Sequence, residues 1–200
     1  MRPQSEPPLR REPRAPDFTL TMDEIRSVTA FALASAEQAL PQFEACHPND
    51  SRPRDALAAA SAFVHGDRRS RSQRVTATAA HRAGREAASP LPFHAAMAAG
   101  DAAASAYLHP LADAAQVNHI LRATAHTIRV FELFPSEDGI GDPITRMVGL
   151  ATPLLIDVLC RYPRIEAGVN RVSELVHELD NRLRDQPRTA RQHERGPEPR

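Results

Sequence analysis

The stretch from His94 to Ala106, His-Ala-Ala-Met-Ala-Ala-Gly-Asp-Ala-Ala-Ala-Ser-Ala, sets the tightest limit on what this chain can fold into. Alanine is the strongest helix former and a poor strand former. Its methyl group reaches so little that a run of it is buried only where neighbouring helices come very close. The segment therefore predicts a central helix onto which others pack across small side chains. Hydrophobic residues make up 42% of the chain, but aromatics only 4%, with no Trp to fill wider gaps. No run alternates β-branched and polar residues as a sheet requires. At 200 residues the chain can bury one good core without a second domain. The expected fold is all-α: a single-domain multi-helix bundle of about six to seven helices.

Helix signals run through most of the sequence. Thr21-Met22-Asp23-Glu24 is a capping box. Ile25, Val28, Ala32, Ala36 and Phe43 then recur at helical spacing and predict one helix to Cys46. Asn49, Asp50 or Ser51 can cap a second helix, with Pro53 in its first turn and Gly66 as its stop. A third covers Gln73 to Ala88, ahead of the Ser89-Pro90-Leu91-Pro92 break, and a fourth runs from Phe93 to Leu108. Val117, Ile120, Leu121, Thr124, Ile128 and Phe131 form the stripe of a fifth. A sixth, from Ile144 to Arg161, contains Pro153 and must kink or split there. Val172, Leu175, Val176, Leu179 and Leu183 mark a seventh, from about Val169 to Arg184. The ordered domain is thus expected over residues 21–185. Residues 1–20 and 186–200, rich in Arg and Pro, are expected to be disordered tails.

The charges narrow the function. There are 25 basic and 25 acidic residues, and every basic residue is arginine. Without lysine there is no Schiff-base or P-loop chemistry, and a net charge of zero argues against general nucleic-acid binding. Cys46 and Cys160 match no metal-ligand spacing and read as free thiols in a reducing cytosol. The longest apolar stretch, near Val148 to Cys160, is too short to span a bilayer, and no signal peptide is evident. The expected location is cytoplasmic, with no membrane partner.

Three constellations carry candidate chemistry. Asp50-Ser51-Arg52-Pro53-Arg54 is denser in charge than a helix cap requires. Asp50, Arg52 and Arg54 are candidate partner-binding residues, two guanidinium groups offering paired donors to a carboxylate, or else a structural charge cluster. His81, Asp101, His109 and His119 fall in the middle of the chain and could line a pocket, or could be satisfied core residues. The histidines lack the offsets of a metal site, so no metal or other cofactor is expected. No nucleophile motif appears, and catalytic residues are expected to be none. The run Asp67-Arg68-Arg69-Ser70-Arg71-Ser72 with Arg74 reads as a basic connecting loop. Gly100 inside the alanine helix points to close approach by a neighbouring helix.

Several longer strings carry a resemblance. Leu40-Pro41-Gln42-Phe43-Glu44 is followed by His47-Pro48-Asn49-Asp50-Ser51-Arg52-Pro53-Arg54 and an Ala-rich helix to Gly66. Ala80-His81, then Ala99 to Pro110, Ala115 to Leu133, Val158 to Pro163 and Arg171 to Leu175 continue the pattern. Over residues 22–184 the chain resembles the Imm-5-like group of bacterial immunity proteins, with Asp50–Arg54 as the most specific element. The resemblance implies an α-helical, non-enzymatic protein that binds and neutralises a cognate protein toxin. It brings no catalytic residues. The alternative from the residues themselves is a helical-bundle ligand sensor or enzyme using the central histidines.

Overall fold

The computed structural model describes residues 18–135 and 141–186. The expected tails, apart from Phe18 to Leu20 and Gln186, lie outside the described residues, as does most of the loop between Ser136 and Pro143. Among the described residues every regular element is helical. The order is α1 (Met22–Ala36), α2 (Leu40–Cys46), α3 (Arg52–Val64), α4 (Arg71–Glu86), α5 (Pro90–Ala104), α6 (Val117–Leu133), α7 (Pro143–Val148), α8 (Pro153–Leu159) and α9 (Arg171–Arg184).

That is more helices than the six to seven expected, and proline accounts for both additions. Extending α1 through Pro41 would remove a backbone donor and drive the ring into the carbonyl four residues earlier. The chain instead turns at residues 37–39 and restarts with Pro41 in the first turn of α2. Pro153 likewise begins α8, with the Thr152 side chain accepting from Leu155 N at 3.2 Å. The capping box at Thr21 forms as read, Glu24 N donating to Thr21 Oγ1 and Thr21 N to Glu24. Gly66, past the end of α3, takes φ +113°, which only glycine adopts without strain. Phe18 and Leu20, counted with the tail on sequence grounds, pack inward: Phe18 meets the Tyr162 ring edge-on, and Leu20 touches the core.

The core has two chemistries. Alanines from α1, α3, α4 and α5 form one layer, including Ala32, Ala60, Ala80, Ala99 and Ala103. Small hydroxyls lace that layer together: Ser105 Oγ donates to Thr29 Oγ1 at 3.0 Å and Thr124 Oγ1 to Ser35 Oγ at 2.9 Å, all four residues buried. The second layer is built of large residues. Val117, Ile120, Leu121 and Ile128 of α6 pack with Met147, Leu155, Leu159, Leu175, Leu179 and Leu183 of the last three helices. Buried Asp180 organises the turn beneath α9, accepting from Arg184 Nε at 2.7 Å and Ile165 N at 3.3 Å. The expected central helix is α5, nearly every residue of which beyond its first turn is buried between α3, α4 and α6.

Candidate functional site

The two sets of candidate residues lie in different places. Asp50, Arg52 and Arg54 sit where the chain enters α3. Neither Asn49 nor Ser51 caps that helix; the Ser51 hydroxyl donates to Asp55 at 2.9 Å, and Asp50 accepts from Arg52 N at 3.1 Å. Asp50 also receives Arg52 Nε at 2.9 Å and Nη2 at 2.6 Å in a two-pronged pair. The same guanidinium reaches Glu86 at the end of α4, 2.7 Å away, and so ties α3 to α4. Arg54, two-thirds exposed, pairs with Glu44 of α2 at 2.6 Å. Hydrogen bonds from Arg52 hold the Asp50 carboxyl below the usual range. These charges are pinned in fixed positions at the surface.

The histidines and Asp101 lie at the seam of α4, α5 and α6. Asp101 on α5 is buried, yet it is ionised. Burial alone would raise its pKa; hydrogen bonds from His81 and Arg122 overcome that and hold it at about 2. His81 Nε2 of α4 donates to Oδ1 at 3.0 Å. Arg122 of α6 grips both oxygens, Nε to Oδ2 at 2.9 Å and Nη2 to Oδ1 at 2.6 Å. One carboxylate thus joins three helices. Gly100 is what admits His81: a Cβ there would lie 2.3 Å from His81 Cδ2 and 2.5 Å from Nε2. The close approach inferred from the sequence is therefore that of an imidazole resting on bare helix backbone.

His94 and His126, central histidines outside the four pocket candidates, continue this seam, His126 buried and His94 half-buried. Their Nδ1 atoms are 2.8 Å apart, so one ring must carry the proton and the other accept it. The pair cannot hold together with both rings cationic. Burial pushes the pKa of His126 down to about 3, its Nε2 lying 3.8 Å from Asp101. Burial and then the nearby Arg129 charge lower that of His94 to about 4. His119 lies one turn before Arg122 and is also lowered, by burial and then by Arg122. The His109 side chain stays outside the seam, exposed on the loop after α5, while its carbonyl accepts from the Tyr162 hydroxyl at 2.8 Å. Of the four pocket candidates, the structure bonds His81 and Asp101 to one another, sets His119 nearby and leaves His109 at the surface. A signal for Arg122, which sequence reasoning missed, existed: it shares one face of α6 with His119 and His126 at helical spacing.

No group of three or more His, Cys, Asp or Glu side chains among the described residues is placed to hold a metal ion. Cys46 and Cys160 are exposed thiols. Among the described residues no helix is long and apolar enough to cross a membrane.

No curated protein and no solved structure matches the chain. A family model does, over residues 19–133, which span α1 to the last residue of α6 and include both candidate clusters. The match covers more than half of the chain, and the protein belongs to the Imm-5 like putative immunity protein family.

Proposed function

We propose that this protein is a non-enzymatic, cytoplasmic immunity protein that binds a cognate protein toxin and blocks it by occupying its surface. The observation that carries this reading is the family match over residues 19–133. The architecture suits the task. A tightly packed helical body presents fixed charges, and preorganised surface groups bind at a low entropic cost while charge complementarity speeds encounter. Arg52 and Arg54, each clamped by carboxylates of its own chain, belong to the proposed contact surface with Asp50.

The test is affinity capture of the tagged protein from the cell that produces it, followed by expression of the captured partner alone and together with this protein. A stoichiometric partner that is toxic alone and harmless in company supports the reading. Absence of any such partner removes it. Substituting Arg52→Glu and Arg54→Glu together should then weaken the complex while the helical content is unchanged; full retention of affinity would move the contact surface elsewhere.

One observation favours a second reading, a ligand sensor or enzyme using the central histidines: the His94–His126 contact with Asp101 just beyond it. Against it, the Asp101 carboxylate is already engaged by Arg122 and His81. Under that reading a small molecule would co-purify with the wild-type chain and be lost on His94→Ala substitution.

A further inference from the structure

The arginines of this chain fall into two populations. Outside residues 68–85, every described arginine except Arg146 forms an ion pair with a carboxylate of its own chain. Arg146 lies over the Phe131 ring. Within residues 68–85 the pattern reverses. Arg68, Arg71 and Arg85 are exposed and meet no carboxylate among the described residues. Arg69 and Arg74 lie over the Tyr107 ring, at 5.5 and 4.7 Å from its centre. Arg82 stands 3.8 Å from Glu86, which is already held by Arg52.

Only part of this run is the connecting loop that the sequence suggested: residues 67–70 link α3 to α4, whereas Arg71, Ser72 and Arg74 lie in α4. Ser70 opens α4 with a capping box: Ser72 N donates to Ser70 Oγ at 3.3 Å, and Ser70 N donates to Gln73 Oε1 at 2.9 Å. The Tyr107 hydroxyl fixes the same point by donating to Ser70 O at 2.6 Å. Arg71 and Arg74 are thereby placed in the first turns of a helix. Its inner face buries Gln73, Ala77, Ala80, Ala83 and Gly84. Its outer face runs Arg71, Arg74, Thr78, Arg82, Arg85, in steps of three and four. That spacing lays one stripe of guanidinium groups about 21 Å long, at 1.5 Å per residue. Val75, 52% exposed, sits beside the middle of the stripe.

We propose that the outer face of α4, with Arg68 and Arg69 ahead of it, is a docking surface for an acidic face of a folded protein partner. This rests on the immunity reading only in identifying that partner as the toxin. Charge complementarity gives the sign, since elsewhere in this net-neutral chain nearly every described guanidinium is matched by a carboxylate, and here only Arg82 approaches one among the described residues. Two features favour a protein over a nucleic acid. Glu86 closes the carboxyl end of the stripe, pairing with Arg52 and lying 3.8 Å from Arg82, so the unmatched charge does not run on as a track for a continuous phosphate backbone. Val75 and Thr78 give the stripe an uncharged centre rimmed by arginine, the composition of protein interfaces.

The experiment uses fluorescence anisotropy with the full chain and two probes. One is a labelled peptide of about ten glutamates, which when extended spans the stripe; the other is a labelled duplex DNA of about ten base pairs, a length similar to that of the peptide. The peptide should bind, and binding should weaken about tenfold or more from about 0.05 M to about 0.5 M salt. The variant R71E/R74E/R85E should lose about tenfold or more in affinity at low salt, whereas R164E/R182E should not. The neutral set R71Q/R74Q/R85Q repeats the measurement if charge reversal disturbs the helix, and circular dichroism checks each variant. Equal binding by wild type and the α4 variants, or no peptide binding, overturns the proposal. Tighter binding of the duplex than of the peptide also overturns it and assigns the stripe to nucleic acid. If a captured toxin is neutralised equally well by R71E/R74E/R85E, the surface is wrong while the immunity reading stands. If no toxin exists but the peptide results hold, the surface stands and the immunity reading falls.

Discussion

Adding one methyl group at Gly100 is the sharpest perturbation this structure offers. On an isolated helix, Gly100→Ala would stabilise by about 1 kcal/mol. Here the new Cβ would be 2.3 Å from His81 Cδ2 and 2.5 Å from Nε2, with Ala77 O at 3.0 Å. The ring must leave, and it takes with it the 3.0 Å hydrogen bond to buried Asp101. A hydrogen bond to a charged partner is worth about 1.5–3 kcal/mol, and residual crowding adds about 1 kcal/mol. The net expectation is a loss of about 2 kcal/mol, or a melting point lower by roughly 4–8 °C for a chain of this size. The decisive assay is a double-mutant cycle with His81→Ala, read by urea denaturation. With the ring gone only Ala77 O remains close, so Gly100→Ala should then be neutral within about 0.5 kcal/mol. The coupling between the two sites should be about 2 kcal/mol. Simple additivity would refute the claim that Gly100 exists to admit His81.

Acid should weaken the fold before carboxylates titrate. A histidine whose folded pKa is depressed binds its proton more readily when unfolded, so its contribution is present above about 6.5 and lost as pH falls toward the folded value. With His126 lowered to about 3 and His94 to about 4, each should cost about 2 kcal/mol of stability between about pH 7.5 and about pH 5, measured by urea denaturation, and His126→Gln should remove about half of that slope. Asp101, held at about 2, adds a second loss confined to the interval below about pH 4. Asp180→Ala should cost about 3–5 kcal/mol, because it leaves the nearly buried Arg184 without its carboxylate and Ile165 N without its acceptor. Cys46 and Cys160 are exposed, so both should react with a thiol reagent in the native protein as completely as in urea. Ending the chain at Leu133 should yield an insoluble or dye-binding product, since it uncovers Val117, Ile120, Leu121 and Ile128.

Local signals were legible wherever they were self-contained. The capping box at Thr21, the stop at Gly66 and the α6 stripe each lie within a few residues, and the structure has all three. Gly100 was odd enough by composition alone to announce a close approach, but not to name the side chain making it, because His81 is on another helix. The Asp101 seam illustrates the wider difficulty. His94 and His126 are far apart in sequence and meet only when α5 packs on α6. The fate of the Asp50–Arg54 charges depended similarly on Glu44 and Glu86 from α2 and α4. The start of α4 was the avoidable error: residues 67–70 do connect α3 to α4, but the helix begins at Arg71 rather than Gln73. Ser70-Arg71-Ser72-Gln73 is a capping box read past because so many arginines suggested solvent, when they marked only the solvent side of a helix.

The two chemistries of the core bear on where recognition can be placed. Burying a large aliphatic side chain yields about 1.5–3 kcal/mol, and an alanine methyl far less. The layer built on Leu155, Leu159, Leu175, Leu179 and Leu183 against α6 therefore supplies much of the stability, although it draws heavily on residues beyond the family match at 133. The alanine layer, which holds α3, α4 and α5 together, depends instead on close approach and on buried polar links such as Asp101. Among the described residues α4 places none of its side chains in the large-residue layer. It holds its position through small residues on its inner face, through Gln73 donating to Ala59 O and through His81 bonding Asp101. Its outer face consequently carries almost no structural duty. Exposed arginines there can change in number and sign at little cost to the fold. A surface under that little constraint, mounted on a rigid seam, can be matched to one partner without repacking the protein beneath it.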